Sequence, residues 1–96
     1  MPGVTVTATE GIPRDQVDAV ERRVAELVRS AGERVSGAQL TLRRETDPAA
    51  ARPFVADVIA FHGDGVIAAH AIGASPREAG DAVAEELRRK LGRIPS

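Results

Sequence analysis

Apolar residues recur in this 96-residue chain with two different periods, and the order of those periods leaves few possible folds. Side chains alternate between the two faces of a strand and return to one face of a helix every 3.6 residues. Val4, Val6 and Ala8 alternate with Thr5, Thr7 and Thr9, which predicts a half-buried strand. Glu10-Gly11-Ile12-Pro13 interrupts it, with Pro13 placed where a helix begins. Val17, Val20, Val24, Leu27, Val28 and Ala31 then form one stripe of a long amphipathic helix, with Gly32 as its stop signal. Ala38, Leu40 and Leu42 mark a second strand, and a polar loop follows from Arg44 to Pro53. Phe54 to Phe61 reads as a third strand, Gly63-Asp64-Gly65 as a hairpin turn, and Val66 to Ile72 as the returning fourth strand. Ser75-Pro76-Arg77-Glu78 combines an N-cap serine, a proline in the first turn and a glutamate three residues after the cap. The helix it opens carries Ala79, Val83, Leu87, Leu91 and Ile94 on one stripe and is expected to run to about Arg93.

The predicted order is β-α-β-β-β-α, an α+β chain. Strands joined through a crossover helix run parallel, whereas the last three strands form an antiparallel meander. Each helix has one apolar stripe to bury, so the expected architecture is a four-stranded mixed sheet with both helices packed on one face. The length suits one domain, expected to span residues 1–96. Apolar residues make up 43% of the chain and charged residues 28%, which argues against wholesale disorder. Phe54 and Phe61 are the only aromatic residues, so the core must be built from Val, Leu, Ile and Ala.

That architecture leaves the second face of the sheet without a partner. Val55, Asp57, Ile59 and Phe61 would lie there, joined by Val66, Ala68, His70 and Ile72. This is more apolar than a solvated face usually is. Two readings stand: ordinary exposed apolar surface, or a surface for self-association or a partner, centred on Val55, Ile59 and Phe61.

Few residues suggest catalysis. There is no cysteine, which removes thiolate metal sites and thiol nucleophiles. His62 and His70 flank the turn without a third ligand at suitable spacing, so no metal site is expected. Asp57 interrupts an apolar strand with no evident partner, and no serine stands in a triad-like pattern. We therefore expect no enzyme, no cofactor and no small-molecule substrate. No apolar stretch reaches membrane-spanning length, and no membrane partner is expected. The formal net charge of −1 means that any polyanion site has to be local. The first helix mixes its charges, but in the last helix Glu78, Asp81, Glu85 and Glu86 precede Arg88, Arg89, Lys90 and Arg93. Complementarity to the helix dipole and a polyanion patch both account for that segregation.

Pro53-Phe54-Val55-Ala56-Asp57, the return strand Gly65-Val66-Ile67, and the helix from Ala79 through Leu87 to Leu91 carry a family likeness, as does the first helix with Ile12, Arg23, Leu27 and Arg29. From Val4 to Ile94 the chain resembles the ribosome hibernation-promoting factors, including the ribosome-associated inhibitor A group. The likeness is to their N-terminal domain, and Arg-rich actinobacterial members that carry a further C-terminal domain look most similar. The resemblance implies a dsRBD-like fold of the same element order. It also implies a cytoplasmic protein that binds ribosomal RNA of the small subunit, where messenger and transfer RNA pass, and so inactivates and preserves ribosomes under stress. By position, the implied RNA contacts are Arg23 and Arg29 on the first helix and Arg89 and Arg93 on the last, with Arg88 and Lys90 added by proximity. The sequence departs from its relatives at Glu26 and Glu86, where Lys is frequent, at Arg77, where Tyr is, and at Gly80, where Ile is. The alternative is a related interaction or dimerisation module with little RNA affinity.

Overall fold

The computed structural model describes residues 3–47 and 49–94. It contains strand β1 (Gly3–Ala8), helix α1 (Arg14–Ala31), a 3-10 turn (Gly32–Arg34), strands β2 (Gly37–Arg44), β3 (Phe54–His62) and β4 (Gly65–Gly73), and helix α2 (Pro76–Leu91). The order is the one expected from the hydrophobic period. The strands form one sheet in chain order, with β1 parallel to β2 and the β2-β3 and β3-β4 pairs antiparallel.

The hairpin between β3 and β4 closes through the pair His62 and Gly65, leaving Gly63 and Asp64 as a two-residue loop. Gly63 takes φ +53°, a left-handed conformation that costs glycine little and that a type II′ turn requires in its first position. At the start of α2, Ser75 Oγ accepts the Glu78 N–H at 3.0 Å and Pro76 occupies the first turn. Helix α1 has no side-chain cap; the Pro13 carbonyl instead accepts the N–H groups of Gln16 and Val17. Helix α2 stops at Leu91, two residues before the expected end. Beyond it the bonds tighten to Arg93 N–H on the Lys90 carbonyl and Ile94 N–H on the Leu91 carbonyl. Of the loop expected between Arg44 and Pro53, Pro48 lies outside the described residues.

Both helices cover the same sheet face. Val24, Val28, Leu40, Leu42, Val58, Val83 and Leu87 are almost fully removed from solvent between the layers. No aromatic ring is among the buried residues, and Phe54 packs against this core only half-buried, so little aromatic volume holds the layers apart and the two helices approach closely. At Gly80 a Cβ would stand 2.8 Å from Val20 Cγ1 and nearer still to Cγ2. The missing side chain is therefore the seat of Val20, itself 3% exposed. The contact also explains why a large residue at position 80 does not fit beside Val20.

Gly80→Ala gains about 1 kcal/mol of helix propensity but forces a stiff, buried valine to move, at a cost of about 1–3 kcal/mol. Chemical denaturation should show a net loss of stability in this variant. In a Val20→Ala background, where the overlap is gone, the same change should become neutral or stabilising. A stabilising Gly80→Ala in the wild-type chain would contradict the packing described.

Candidate nucleic-acid interface

Because α1 and α2 each return antiparallel to a strand of the same sheet, they run parallel to one another. Contacts along them advance together. Gln16 Oε1 accepts the Arg77 N–H at 3.3 Å, Val20 meets Gly80, Arg23 pairs with Asp81 at 3.3 Å, and Leu27 and Ser30 share a groove with Ala84 and Arg88. The groove ends between Arg34 on one side and Arg88, Leu91 and Gly92 on the other. Both helices thus finish at the same pole of the molecule. Residues 27–34 and 87–94 together hold Arg29, Arg34, Arg88, Arg89, Lys90 and Arg93 against one acid, Glu33. Two helix C-termini meet there, and their partial negative charge offsets part of the mutual repulsion of these cations. At the opposite pole a cleft of about 650 Å3 lies between the end of β1 and the loop after β2, and its lining sets Arg44 among Glu10, Glu45 and Asp47. The positive charge that the total of −1 conceals is concentrated at the pole where the helices end.

The six basic residues singled out by sequence fall into two groups. Arg23, Arg88 and Lys90 are engaged within the molecule. Arg23 bonds Asp81, Arg88 bonds Glu85 through both its Nε and Nη2, and Lys90 lies 3.2 Å from Glu86 while donating to the Ala68 carbonyl at 2.5 Å. Arg29, Arg89 and Arg93 are exposed and make no ion pair among the described residues. Arg89 and Arg93 are four residues apart and project from the outer side of α2 and its terminal turn. Arg22, Arg34 and Arg77 are not among the contacts expected from sequence, which places Arg22 and Arg34 among the balanced charges of the first helix and Arg77 among the departures from relatives. Arg22 and Arg77 flank the groove beside Arg23, and Arg34 is held by its own Nε on the Ala31 carbonyl at 3.0 Å. The signal that would have found them is the parallel register of the helices, for which the Val20–Gly80 contact is the anchor.

The charges are mutually tuned. The Arg88 guanidinium holds the Glu85 carboxyl below its ordinary range, and Glu85 in turn raises Arg88. Glu86 is also lowered, first by the His70 N–H and then by Lys90, with partial burial opposing.

The outer sheet face differs from the continuous apolar surface expected. Val55 is only 4% exposed, seated between its cross-strand neighbours Arg43 and Ile72, so it offers no partner surface. Phe61 is half-buried, whereas Ile59 is 38%, Ile72 47% and Val66 60% exposed. A polar row divides these residues. Asp57 does have partners there: His70 Nδ1 at 2.5 Å and Arg43 Nε at 3.9 Å. Thr41 stands across from Asp57 on the side away from His70. The carboxylate therefore separates hydroxyl from imidazole, and the row lacks the nucleophile–base–acid order of a triad. No cluster of three or more His, Cys, Asp or Glu residues suited to a metal occurs among the described residues, and no described helix is long and apolar enough to cross a membrane.

No protein-family model and no curated protein matches the chain. Solved structures do. The fold is similar to that of a ribosomal subunit interface protein from Coxiella burnetii, with a TM-score of 0.76 at 12% identity over 95% of this chain and 94% of that one. It is also similar to the N-terminal domain of protein Y from Thermus thermophilus, with a TM-score of 0.70 at 18% identity over 99% of this chain and all of that one. At these identities the shared property is the fold.

The lowered Glu86 carboxyl ties stability to pH with a definite sign. A depressed folded-state value contributes stability that is complete above the unfolded value and is lost as pH falls through the folded one. Glu86→Ala should therefore melt below the wild type at neutral pH, and the gap should shrink as pH drops beneath the ordinary value of 4.5. A gap that stays constant into strong acid would show that the ionised carboxylate is not what stabilises β4 and α2.

Proposed function

We propose that this domain binds the small ribosomal subunit through ribosomal RNA, using the pole where α1 and α2 end. The observation that carries the reading is the local charge. Six cations face a single acid on the last turns of two parallel helices, and three of them, Arg29, Arg89 and Arg93, are exposed without ion-pair partners among the described residues. Backbone phosphate binding is dominated by such charges, and Arg can bridge two phosphate oxygens at once. The shared fold with a ribosomal subunit interface protein supports the ribosome as the source of that RNA. On this reading the domain works in the cytoplasm and occupies the path of messenger and transfer RNA. It holds ribosomes inactive and intact under stress, and it does so as a binding protein with no chemistry of its own.

The three cations carry unequal weight in this reading. Arg89 and Arg93 project from a helix end docked by Leu87 and Leu91, both nearly fully buried, so little side-chain support needs to form on binding. Arg23, Arg88 and Lys90 already satisfy carboxylates. Their use against phosphate would first break Arg23–Asp81, Arg88–Glu85 and Lys90–Glu86. They act here as a supporting ring that keeps the field positive and the acids occupied.

Arg89→Glu with Arg93→Glu should lower co-sedimentation with the small subunit by at least about tenfold at moderate salt, because contacts are both removed and reversed. The melting temperature should change little, since both residues are exposed and the lost dipole interaction amounts to about 1 kcal/mol or less. Wild-type co-sedimentation of the folded double variant would refute the assignment of this pole.

A further inference from the structure

We infer that the free edge of β4 is a self-pairing edge held shut by Glu86 and Lys90, and that the partner it fits is β4 of a second copy of this chain. Strand β4 ends the sheet and is bonded on one side only, to β3. An unpaired edge presents a row of N–H and C=O groups that template another strand. Here two of those groups are taken. The His70 N–H donates to Glu86 Oε2 at 3.0 Å, and the Ala68 carbonyl accepts from Lys90 Nζ at 2.5 Å. Both caps come from α2, one turn apart, and Lys90 Nζ lies 3.2 Å from Glu86 Oε1. A single ion pair thus blocks a donor and an acceptor at the middle of the edge.

The strand's own sequence identifies what it would pair with. Gly65-Val66-Ile67-Ala68-Ala69-His70-Ala71-Ile72-Gly73 is nearly symmetrical about Ala69: glycine mirrors glycine, Val66 mirrors Ile72, and Ile67 mirrors Ala71. Two copies laid antiparallel with Ala69 on the two-fold axis place Val66 against Ile72 of the second copy, and Ala68 against His70 of the second copy. In an antiparallel ladder the residues that exchange hydrogen bonds alternate along the strand. The bonds to Glu86 and Lys90 show that the even-numbered residues are the ones facing outward, so this register agrees with the direction of the free groups. It covers Val66 and Ile72, two of the three large apolar residues exposed among the described residues, and covers each pair twice by symmetry. Cross-strand apolar pairs of this kind are the unit of sheet stability. The central Ala68–His70 pair would need the N–H and C=O that the clamp occupies, so clamp and dimer exclude one another. A two-fold contact closes on itself, which predicts a dimer of two continuous sheets and no filament through this edge.

The test is sedimentation equilibrium of the full chain at high micromolar concentration. Wild type should be a monomer and Glu86→Ala/Lys90→Ala a dimer, with far-ultraviolet circular dichroism unchanged or richer in strand. Adding Ile72→Lys, which sets a charge against Val66 of the second copy, should return the monomer. If the double variant is misfolded, Glu86→Leu/Lys90→Met keeps both aliphatic stems while freeing the His70 N–H and the Ala68 carbonyl together, and dimer formation by it supports the inference. A folded clamp variant that stays monomeric overturns it. So does one that forms open aggregates, one whose dimer survives Ile72→Lys, or a wild type that is already a dimer.

Discussion

The contact between Val20 and Gly80 sets the rest of the arrangement. With Phe54 only half-buried at its margin, the core relies on Val, Leu and Ala, and the helices meet where one of them has no side chain at all. That close approach fixes the parallel register of α1 and α2. From it follow the bond between Gln16 and Arg77, the ion pair between Arg23 and Asp81, and the groove that ends at Arg34 and Arg88. The basic pole is a consequence of this register. A shift of one helical turn would separate Arg29 and Arg34 from the basic end of α2 by about 5.4 Å.

Charge is used locally in two opposed ways. At the helix ends it is concentrated, with cations gathered where two C-terminal dipoles meet. Along the rim of β4 it is neutralised, as Glu86 and Lys90 spend their charges on each other and on the strand edge. Adjacent residues of the same helix turn therefore do different things. Arg89 and Arg93 point outward without ion-pair partners among the described residues, whereas Lys90 turns under the helix to the sheet. A near-neutral domain can in this way present a cationic surface and a guarded edge together.

Much of the fold was legible because it depends on periodicity and local turn chemistry. The alternation through Val4, Val6 and Ala8, the Gly63 turn and the Ser75 cap are properties of short windows, and the structure contains each of them. The end of α2 was misplaced by two residues because Leu91 and Ile94 continue the stripe while the backbone tightens after Gly92. For Val55, alternation identified the correct face but not its burial, which comes from Arg43 and Ile72 on two other strands. The basic residues were visible as a run, but their partners were not. Asp81 is 58 positions from Arg23, and Ala68 is 22 from Lys90, so only the fold separates engaged cations from available ones.

On the proposed function, a domain of net charge −1 binds RNA through a few exposed arginines at one pole. The dependence of small-subunit affinity on salt, measured for the wild-type domain, tests this proposal. Three phosphate contacts, from Arg29, Arg89 and Arg93, predict a slope of about −2 to −3 for the logarithm of the association constant against that of salt concentration. A slope near zero with affinity retained would mean that the ribosome is met by something other than this pole, and would contradict the proposal.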